Sequence, residues 1–410
     1  MLSQKTIDIV KSTAPVLEVK GTEITSVFYK NMFASHPELL DIFNHANQKK
    51  GRQQTALANT VYAAAKHIDQ LEALLPAVKQ IAHKHRSLGI KPEHYPIVGE
   101  HLLGAIKEVL GDAATDEIIG AWADAYGVIA GVFIDVEEQM YVEAESKEAG
   151  FRDFKPFVVA KKVKESDVIT SFYLKPKDGE KVPAFNPGQY ISVRVTIPGQ
   201  KNTHIRQYSL SGAYKEEYFR ISVKKEEEVD PNGIVSVFLH EKVQEGSVVE
   251  VSAPAGDFFL NQENKEGKVA LISGGVGITP MMSMLETIAE ETPERPAAFI
   301  HASKNEGVQA FRKDIDGLMD KLENGEACYI LENPSNVSLC HFSGYVNKEI
   351  LSTYVDSETE CYVCGPAPFM KAVIMTLKEI GLPEDKINYE FFGPAMDLST
   401  VDEKEKVKAQ

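Results

Sequence analysis

Leu74-Leu75-Pro76-Ala77-Val78-Lys79-Gln80-Ile81-Ala82-His83-Lys84-His85-Arg86-Ser87-Leu88 decides how the front of the chain is read. Leu74, Val78, Ile81, His85 and Leu88 recur at steps of three and four, the period of one helix face. The pattern predicts a helix that turns His85 inward with the apolar residues. His83 is expected to point into water with Lys79, Gln80 and Arg86. An inward imidazole needs partners for its ring nitrogens. A neighbouring side chain is the ordinary partner, and a haem iron is another.

The bulk numbers leave room for several cores. At 410 residues the chain is long enough for two to four domains of roughly 100–200 residues each. A net charge of −16, without any Lys/Arg-rich run, argues against nucleic acid and against anionic membrane surfaces as partners. Met1-Leu2-Ser3-Gln4-Lys5-Thr6 leads straight into a polar, helix-like stretch, so no secretory leader is expected. No unbroken apolar run reaches the ~18 residues of a membrane span. Cys328, Cys340, Cys361 and Cys364 are too few for a disulfide scaffold and fit a reducing cytoplasm. Cys361 and Cys364 have the spacing of a redox or metal pair. They lack a second pair and run into Gly365-Pro366, so a strand end is the better reading.

Texture divides the chain. Residues 1–146 carry helical periods, with Ser35-His36-Pro37-Glu38 read as a capping box before Leu39-Leu40. Residues 147–151 form a linker. Residues 152–262 turn to short alternating strands, among them Tyr190–Val195, Tyr218–Val223 and Val248–Val251, which predict a small antiparallel barrel. Residues 263–396 alternate apolar strands with helices. Val269–Ser273, Ala297–His301 and Glu360–Cys364 are expected as parallel strands of a nucleotide-binding sheet. Residues 397–410 are charged and are expected to fray. The fold class expected is thus multidomain: all-α, then antiparallel β, then a Rossmann-like α/β domain.

Within the last region, Gly274-Gly275-Val276-Gly277-Ile278-Thr279 joins a strand to a helix. Glycines there let a pyrophosphate approach backbone N–H groups at the helix N-terminus. A tight turn with no ligand is the plainer alternative, because the spacing is not G-x-G-x-x-G. Other motifs occur in order around it: Arg206-Gln207-Tyr208-Ser209 on a strand, Gly233-Ile234-Val235-Ser236 opening a helix, and Cys364-Gly365-Pro366 ending a strand.

That ordered set resembles the ferredoxin–NADP reductase family across residues 151–394. The resemblance implies that Arg206 binds the FAD pyrophosphate, Tyr208 packs on the flavin ring, and Ser209 approaches its N5. Gly233 and Ser236 would cap the pyrophosphate. Tyr190 and Gln207 join the FAD site, while the glycine turn with Cys364 and Gly365 would hold NADH or NADPH. Lys304, Asn305 and Arg312 follow the strand ending at His301 and are candidates to meet a 2′-phosphate, with ordinary exposed cations as the alternative, so the choice of nucleotide stays open.

The helical front, fused to such a reductase, resembles a globin, and the chain as a whole is similar to flavohaemoglobins from residue 1 to Pro394. Tyr29 in Phe28-Tyr29-Lys30-Asn31-Met32-Phe33 matches the distal tyrosine. Phe43 in Ile42-Phe43-Asn44 matches the phenylalanine against the haem, and Gln53 and Leu57 match the distal pair. Lys84-His85-Arg86 matches the proximal segment, with His85 as iron ligand. Tyr95 and Glu137 match the residues around the proximal imidazole. Tyr389-Glu390-Phe391-Phe392-Gly393-Pro394 matches the C-terminal flavin-contacting end, and Lys84 and Glu390 match positions between haem and flavin.

The periodicity agrees: Glu137 lies four residues from Phe133 and eight from Ile129, on their apolar face, and Phe28 continues the Leu17–Ile24 stripe. The resemblance implies one haem b, one FAD and NAD(P)H. It implies a cytoplasmic nitric oxide dioxygenase acting on O2 and NO, with no obligate protein partner. A flavin and haem reductase with an O2- or NO-sensing or storing globin is the alternative.

Overall fold

The computed structural model describes residues 2–43, 48, 51–227 and 233–393. Contacts divide the chain into two compact units, Met1–Phe154 with Ser192–Arg206, and Lys155–Ile191 with Gln207–Gln410.

The first unit is built on helices α1 (Gln4–Ser12), α2 (Ala14–Ser35), α3 (Arg52–Lys66), α4 (Leu75–Leu88), α5 (His94–Leu110) and α6 (Asp116–Ser146). Ser3 caps α1 and Thr115 caps α6, each accepting a backbone N–H three residues on. Gly89, in the left-handed conformation, ends α4. Leu17, Ile24, Phe28 and Met32 of α2 form a stripe that closes on Leu102 and Ile106 of α5 and Trp122 of α6. The indole of Trp122 donates to Thr13 Oγ1 at 3.1 Å, so its one polar atom is satisfied inside that core. The Asp41 carboxylate accepts the backbone N–H of Thr203 at 2.7 Å and the Asn202 amide at 3.1 Å.

Two expectations change here. Ser35 ends α2 rather than capping a new helix. Pro37–Asp41 is a 3-10 turn headed by His36, and Glu38 bonds the His36 ring at 3.0 Å. Proline disfavours the helical conformation of the residue before it, which moves the break to His36. The second change concerns α6, which is long and apolar enough to cross a membrane. Its acidic residues are spaced among Ala, Gly, Ile and Val, so mean hydropathy stays high without any unbroken apolar run. The inner face of α6 packs against α1, α4 and α5.

In the second part of the fold, β1 (Lys155–Lys164), β2 (Ile169–Pro176), β3 (Tyr190–Val195), β4 (His204–Ser209), β5 (Phe219–Lys224) and β6 (Val248–Val251) form a sheet in the order β4-β3-β6-β1-β2-β5. A bridge between Leu210 and Ile221 brings the end of β4 to β5 and rolls the sheet toward a barrel. Helix α7 (Ile234–Glu241) lies against it. Lys162 Nζ donates to the carbonyls of Leu239, His240 and Val243 and so satisfies the C-terminal end of α7.

The second sheet is parallel: β7 (Val269–Gly274), β8 (Ala297–Ser303), β9 (Gly325–Leu331), β10 (Phe342–Ser343), β11 (Glu360–Cys364) and β12 (Ile387–Glu390), in the order β10-β9-β8-β7-β11-β12. Helices α8 (Ile278–Glu291) and α9 (Arg312–Met319) cover one face, and α10 (Lys348–Tyr354) and α11 (Ala367–Ile380) the other. The chain leaves β7 toward β8 on one side and returns as β11 on the other. That reversal places the open crevice at the carboxyl ends of β7 and β11.

Candidate functional site

In the first unit, Glu137 is the organising group. It is 3% exposed, while Asp135 and Glu138 on the same helix face outward. Its Oε1 accepts from His85 Nδ1 at 2.7 Å and from the Tyr95 hydroxyl at 2.6 Å. Tyr95 is placed by α5, and Tyr126 of α6 locks that end by donating to the Tyr95 carbonyl at 2.6 Å. Burial, reinforced by the Glu137 charge, raises the Tyr95 phenol well above its ordinary range. Tyr95 therefore stays a donor. With Nδ1 committed as a donor, His85 presents Nε2 as the free lone pair, the tautomer a metal requires.

The imidazole itself is half-buried, with 34% of its side chain accessible. The stripe Leu74, Val78, Ile81, His85 and Leu88 is half-buried throughout; the fully buried residues of α4 are Ala82, Arg86 and Ser87. His83 is half-buried and Arg86 is 5% exposed, so neither stands in water as the periodicity suggested. The reason is that α4 packs along α6. The Tyr141 hydroxyl of α6 reaches the carbonyls of Arg86 and Ile90 at 3.3 and 2.8 Å, drawing the Arg86 side of the helix into the core.

Across this region, Tyr29, Phe33 and Phe43 form an aromatic cluster with ring centroids 5.2–5.8 Å apart. Tyr29 is 8% exposed, and burial alone pushes its phenol upward, so it too remains protonated. No group among the described residues bonds to its hydroxyl. Gln53 on α3 has its Oε1 enclosed without a protein partner, and Leu57 lies one turn further along the same helix, packed on the core. One imidazole nitrogen kept bare, one unpartnered phenol, an unpartnered amide oxygen and an apolar lining fit a haem that takes a small polar ligand. Asn44 and Pro394 lie outside the described residues, as do residues 397–410.

In the second unit the nucleotide turn is shaped by close backbone approach. A Cβ on Gly277 would lie 2.2 Å from the Cys364 carbonyl oxygen and 2.7 Å from the Gly365 nitrogen, so only glycine lets the turn after β7 lie against the end of β11. Gly275 has φ +54° with nothing within 4 Å of its missing side chain. Gly275 and Val276 are the accessible residues of the turn. Gly274, Gly277, Ile278 and Thr279 are buried, and Thr279 Oγ1 closes the turn onto the Val276 carbonyl at 3.1 Å. An open backbone at a helix start beside the β7–β11 switch point fits a pyrophosphate. Beneath it, His301 Nδ1 and Ser273 Oγ are 2.8 Å apart, and full burial lowers the imidazole to about 4. Sequence reasoning missed this pair, although the apolar run expected as strand β8 ends in this histidine.

Along β4, Arg206 and Tyr208 share one face, Gln207 is exposed on the other, and Ser209 is buried at the strand end. Arg206 Nη1 donates to the Ile205 carbonyl at 2.7 Å. Tyr190 lies at the start of β3, and its ring packs 3.0 Å from where a Gly256 side chain would begin. Ser236 spends its hydroxyl on the turn itself, donating to the Gly233 carbonyl at 2.9 Å and accepting the Glu226 N–H at 3.1 Å. What that turn offers a ligand is therefore backbone at the start of α7. These residues fit FAD by the half-buried Arg206 of β4 and a helix N-terminus.

At the C-terminal end, Glu390 pairs with Cys364 across β11 and β12. Phe391 packs on the core beside α11, Phe392 is exposed, and Gly393 follows. Lys84 is half-buried beside His85. Arg312 is occupied: it stacks 3.6 Å over the Tyr329 ring and bonds Asp316 and the Leu339 carbonyl. Lys304 is exposed. Cys361 and Cys364 point to opposite faces of their strand, one into each apolar layer, so they do not form a pair.

Comparison with known proteins follows the same division. The globin family matches residues 26–133, an oxidoreductase FAD-binding domain residues 156–260, and an oxidoreductase NAD-binding domain residues 271–374. A flavohemoprotein of Bacillus thuringiensis subsp. konkukian is 57% identical over 404 residues, spanning 97% of this chain and 100% of its own. The chain belongs to the flavohemoprotein family. Other members include the Bacillus subtilis flavohemoprotein, 50% identical over 97% of this chain and 99% of its own. Flavohemoprotein A of Dictyostelium discoideum is 48% identical over 97% of this chain and 100% of its own. The flavohemoglobin of Malassezia yamatoensis, solved with bound FAD and heme, superposes with a TM-score of 0.85 at 28% identity, covering 96% of this chain and 100% of that one. The flavohem-like FAD/NAD-binding domain of nitric oxide dioxygenase from Vibrio cholerae, at 36% identity, covers 59% of this chain and 100% of its own with a TM-score of 0.55.

Proposed function

We propose that this flavohemoprotein is an NAD(P)H-dependent nitric oxide dioxygenase. The observation that carries the reading is the shared Glu137 acceptor under His85 and Tyr95. Bound haem and FAD supply the redox chemistry, passing electrons from NAD(P)H to the site where NO and O2 become nitrate.

The protein's part is orientation and charge. Glu137 would hold His85 Nδ1–H, fix the ring tautomer and make Nε2 a stronger donor to iron. That push favours oxygen chemistry over reversible carriage. Tyr29 Oη would donate a hydrogen bond to the partly negative oxygen of dioxygen, Gln53 would give a second polar contact, and Phe43 and Leu57 would keep water out. Arg206 would meet the FAD pyrophosphate, Tyr208 and Tyr190 the flavin ring, and the Gly275–Val276 backbone the nicotinamide nucleotide. Lys84, next to His85, and Glu390, at the end of β12, are proposed to assist electron transfer.

The proposed domain limits are 1–146 for haem, 152–262 for FAD and 263–396 for NAD(P)H. Four free cysteines support a reducing, cytoplasmic setting. Purified holoprotein, under air with NADH, should consume NO and accumulate nitrate. Rapid haem reduction without NO turnover would overturn the reading.

A further inference from the structure

Inside the second unit, Arg220 on β5 and Glu286 on α8 form an ion pair, Nη2 to Oε1 at 2.7 Å. Their side chains are 12% and 17% exposed. The second carboxylate oxygen of Glu286 accepts the backbone N–H of Ala213 at 2.9 Å. Arg220 also donates to the Ser211 carbonyl and, through Nε at 3.4 Å, to the Ser211 hydroxyl. Ser283, one helical turn before Glu286, donates to the Gly212 carbonyl at 2.8 Å. The guanidinium lies 5.6 Å from the ring centroid of Phe311, whose φ of +60° is a strained, left-handed backbone for a residue with a side chain.

The placement along the chain gives this cluster its meaning. Ser211–Ala213 follows Tyr208-Ser209 after one residue, Leu210. Glu286 stands two turns into the helix that begins at the Gly275–Thr279 turn. One carboxylate therefore ties the loop leaving the flavin strand to the helix leaving the nucleotide turn. Partly buried ion pairs add little net stability, since desolvation offsets attraction. Charge-assisted hydrogen bonds do fix geometry, because their distances and angles are narrow.

We propose that Arg220 and Glu286 are positioning residues that set the spacing between nicotinamide and flavin. The proposal rests on the reading of β4 as the flavin strand and of the β7–α8 turn as the nucleotide site. Hydride transfer needs donor and acceptor carbon and nitrogen in near-attack contact, where a displacement of about 1 Å costs on the order of a hundredfold in rate.

The test is anaerobic stopped-flow reduction of FAD by NADH in full-length holoprotein, wild type against Glu286→Gln and Glu286→Asp. For Glu286→Gln the limiting reduction rate should fall by roughly ten- to a hundredfold, with half-saturating NADH hardly changed and FAD and haem contents stoichiometric. The primary isotope effect with 4-deuterated NADH should rise. Glu286→Asp, which keeps the charge, should recover part of the rate. An FAD-replete Glu286→Gln with the wild-type limiting rate and isotope effect overturns the proposal. So does a variant that loses FAD while each remaining flavin is reduced at the normal rate. Arg206→Ala, assayed alongside, separates the two levels: retention of FAD there overturns the flavin reading itself.

Discussion

Nδ1 of His85 lies 2.7 Å from Oε1 of Glu137, two residues 52 positions apart that α4 and α6 bring together. The same oxygen receives the Tyr95 hydroxyl. Replacing Glu137 by Gln keeps an acceptor but removes its charge. Hydrogen bonds to charged groups contribute roughly 1.5–3 kcal/mol, so the haem unit should lose about that much stability. A less anionic imidazole donates less to iron, so the haem reduction potential should rise. Spectroelectrochemistry checks this, and an unchanged potential would mean that Glu137 only holds the fold.

His85→Ala should lose stable haem while keeping FAD and NADH-driven dye reduction, because the two cofactors are held by different parts of the chain. A normal Soret band in the variant would move the iron ligand elsewhere, with His83 next to be tested.

Arg206→Ala should lose FAD and keep haem. Its charge-assisted hydrogen bonds to a pyrophosphate are worth roughly 1.5–3 kcal/mol each. Flavin retained in stoichiometric amount after gel filtration contradicts the placement.

His301 makes a pH prediction. Burial lowers its pKa from 6.5 to about 4, so the folded state holds it neutral where the unfolded chain binds a proton. Its contribution to stability is present above pH 6.5 and is lost as pH falls from 6.5 toward 4. Between pH 7 and pH 5 this costs the reductase part about 2 kcal/mol, at ~1.4 kcal/mol per unit. His301→Gln should flatten that slope in denaturant unfolding, and an unaltered slope would place the acid sensitivity in another group.

Tyr29→Phe isolates the distal hydroxyl. The ring is kept, so packing should hardly change. Losing one hydrogen bond worth roughly 1.5–3 kcal/mol should speed O2 release by about ten- to a hundredfold. FAD and haem reduction should be unaffected. An unchanged O2 off-rate, read by stopped flow, would make Tyr29 a core aromatic only.

Much of the fold was legible in short patterns. Tyr190–Val195, Val248–Val251 and Glu360–Cys364 are strands with the bounds that their alternating or apolar runs suggest. By contrast, β1 carries several lysines, and β12 is four residues with polar Asn388 and Glu390, so neither shows a strong period. The opposite orientation of Cys361 and Cys364 was available from the strand period itself, since residues three apart face opposite ways. Arg220 and Glu286 were invisible, because a partnership across 66 residues leaves no local trace. Arg86 misled for a related reason: its charge says water, but Tyr141 and α6 enclose it.

The most direct test of the central claim is the origin of the oxygen in the product. Holoprotein turning over NADH and unlabelled NO under 18O2 should give nitrate that carries both atoms of one dioxygen molecule. Nitrate without that label, or NADH consumed with no nitrate formed, would contradict a dioxygenase.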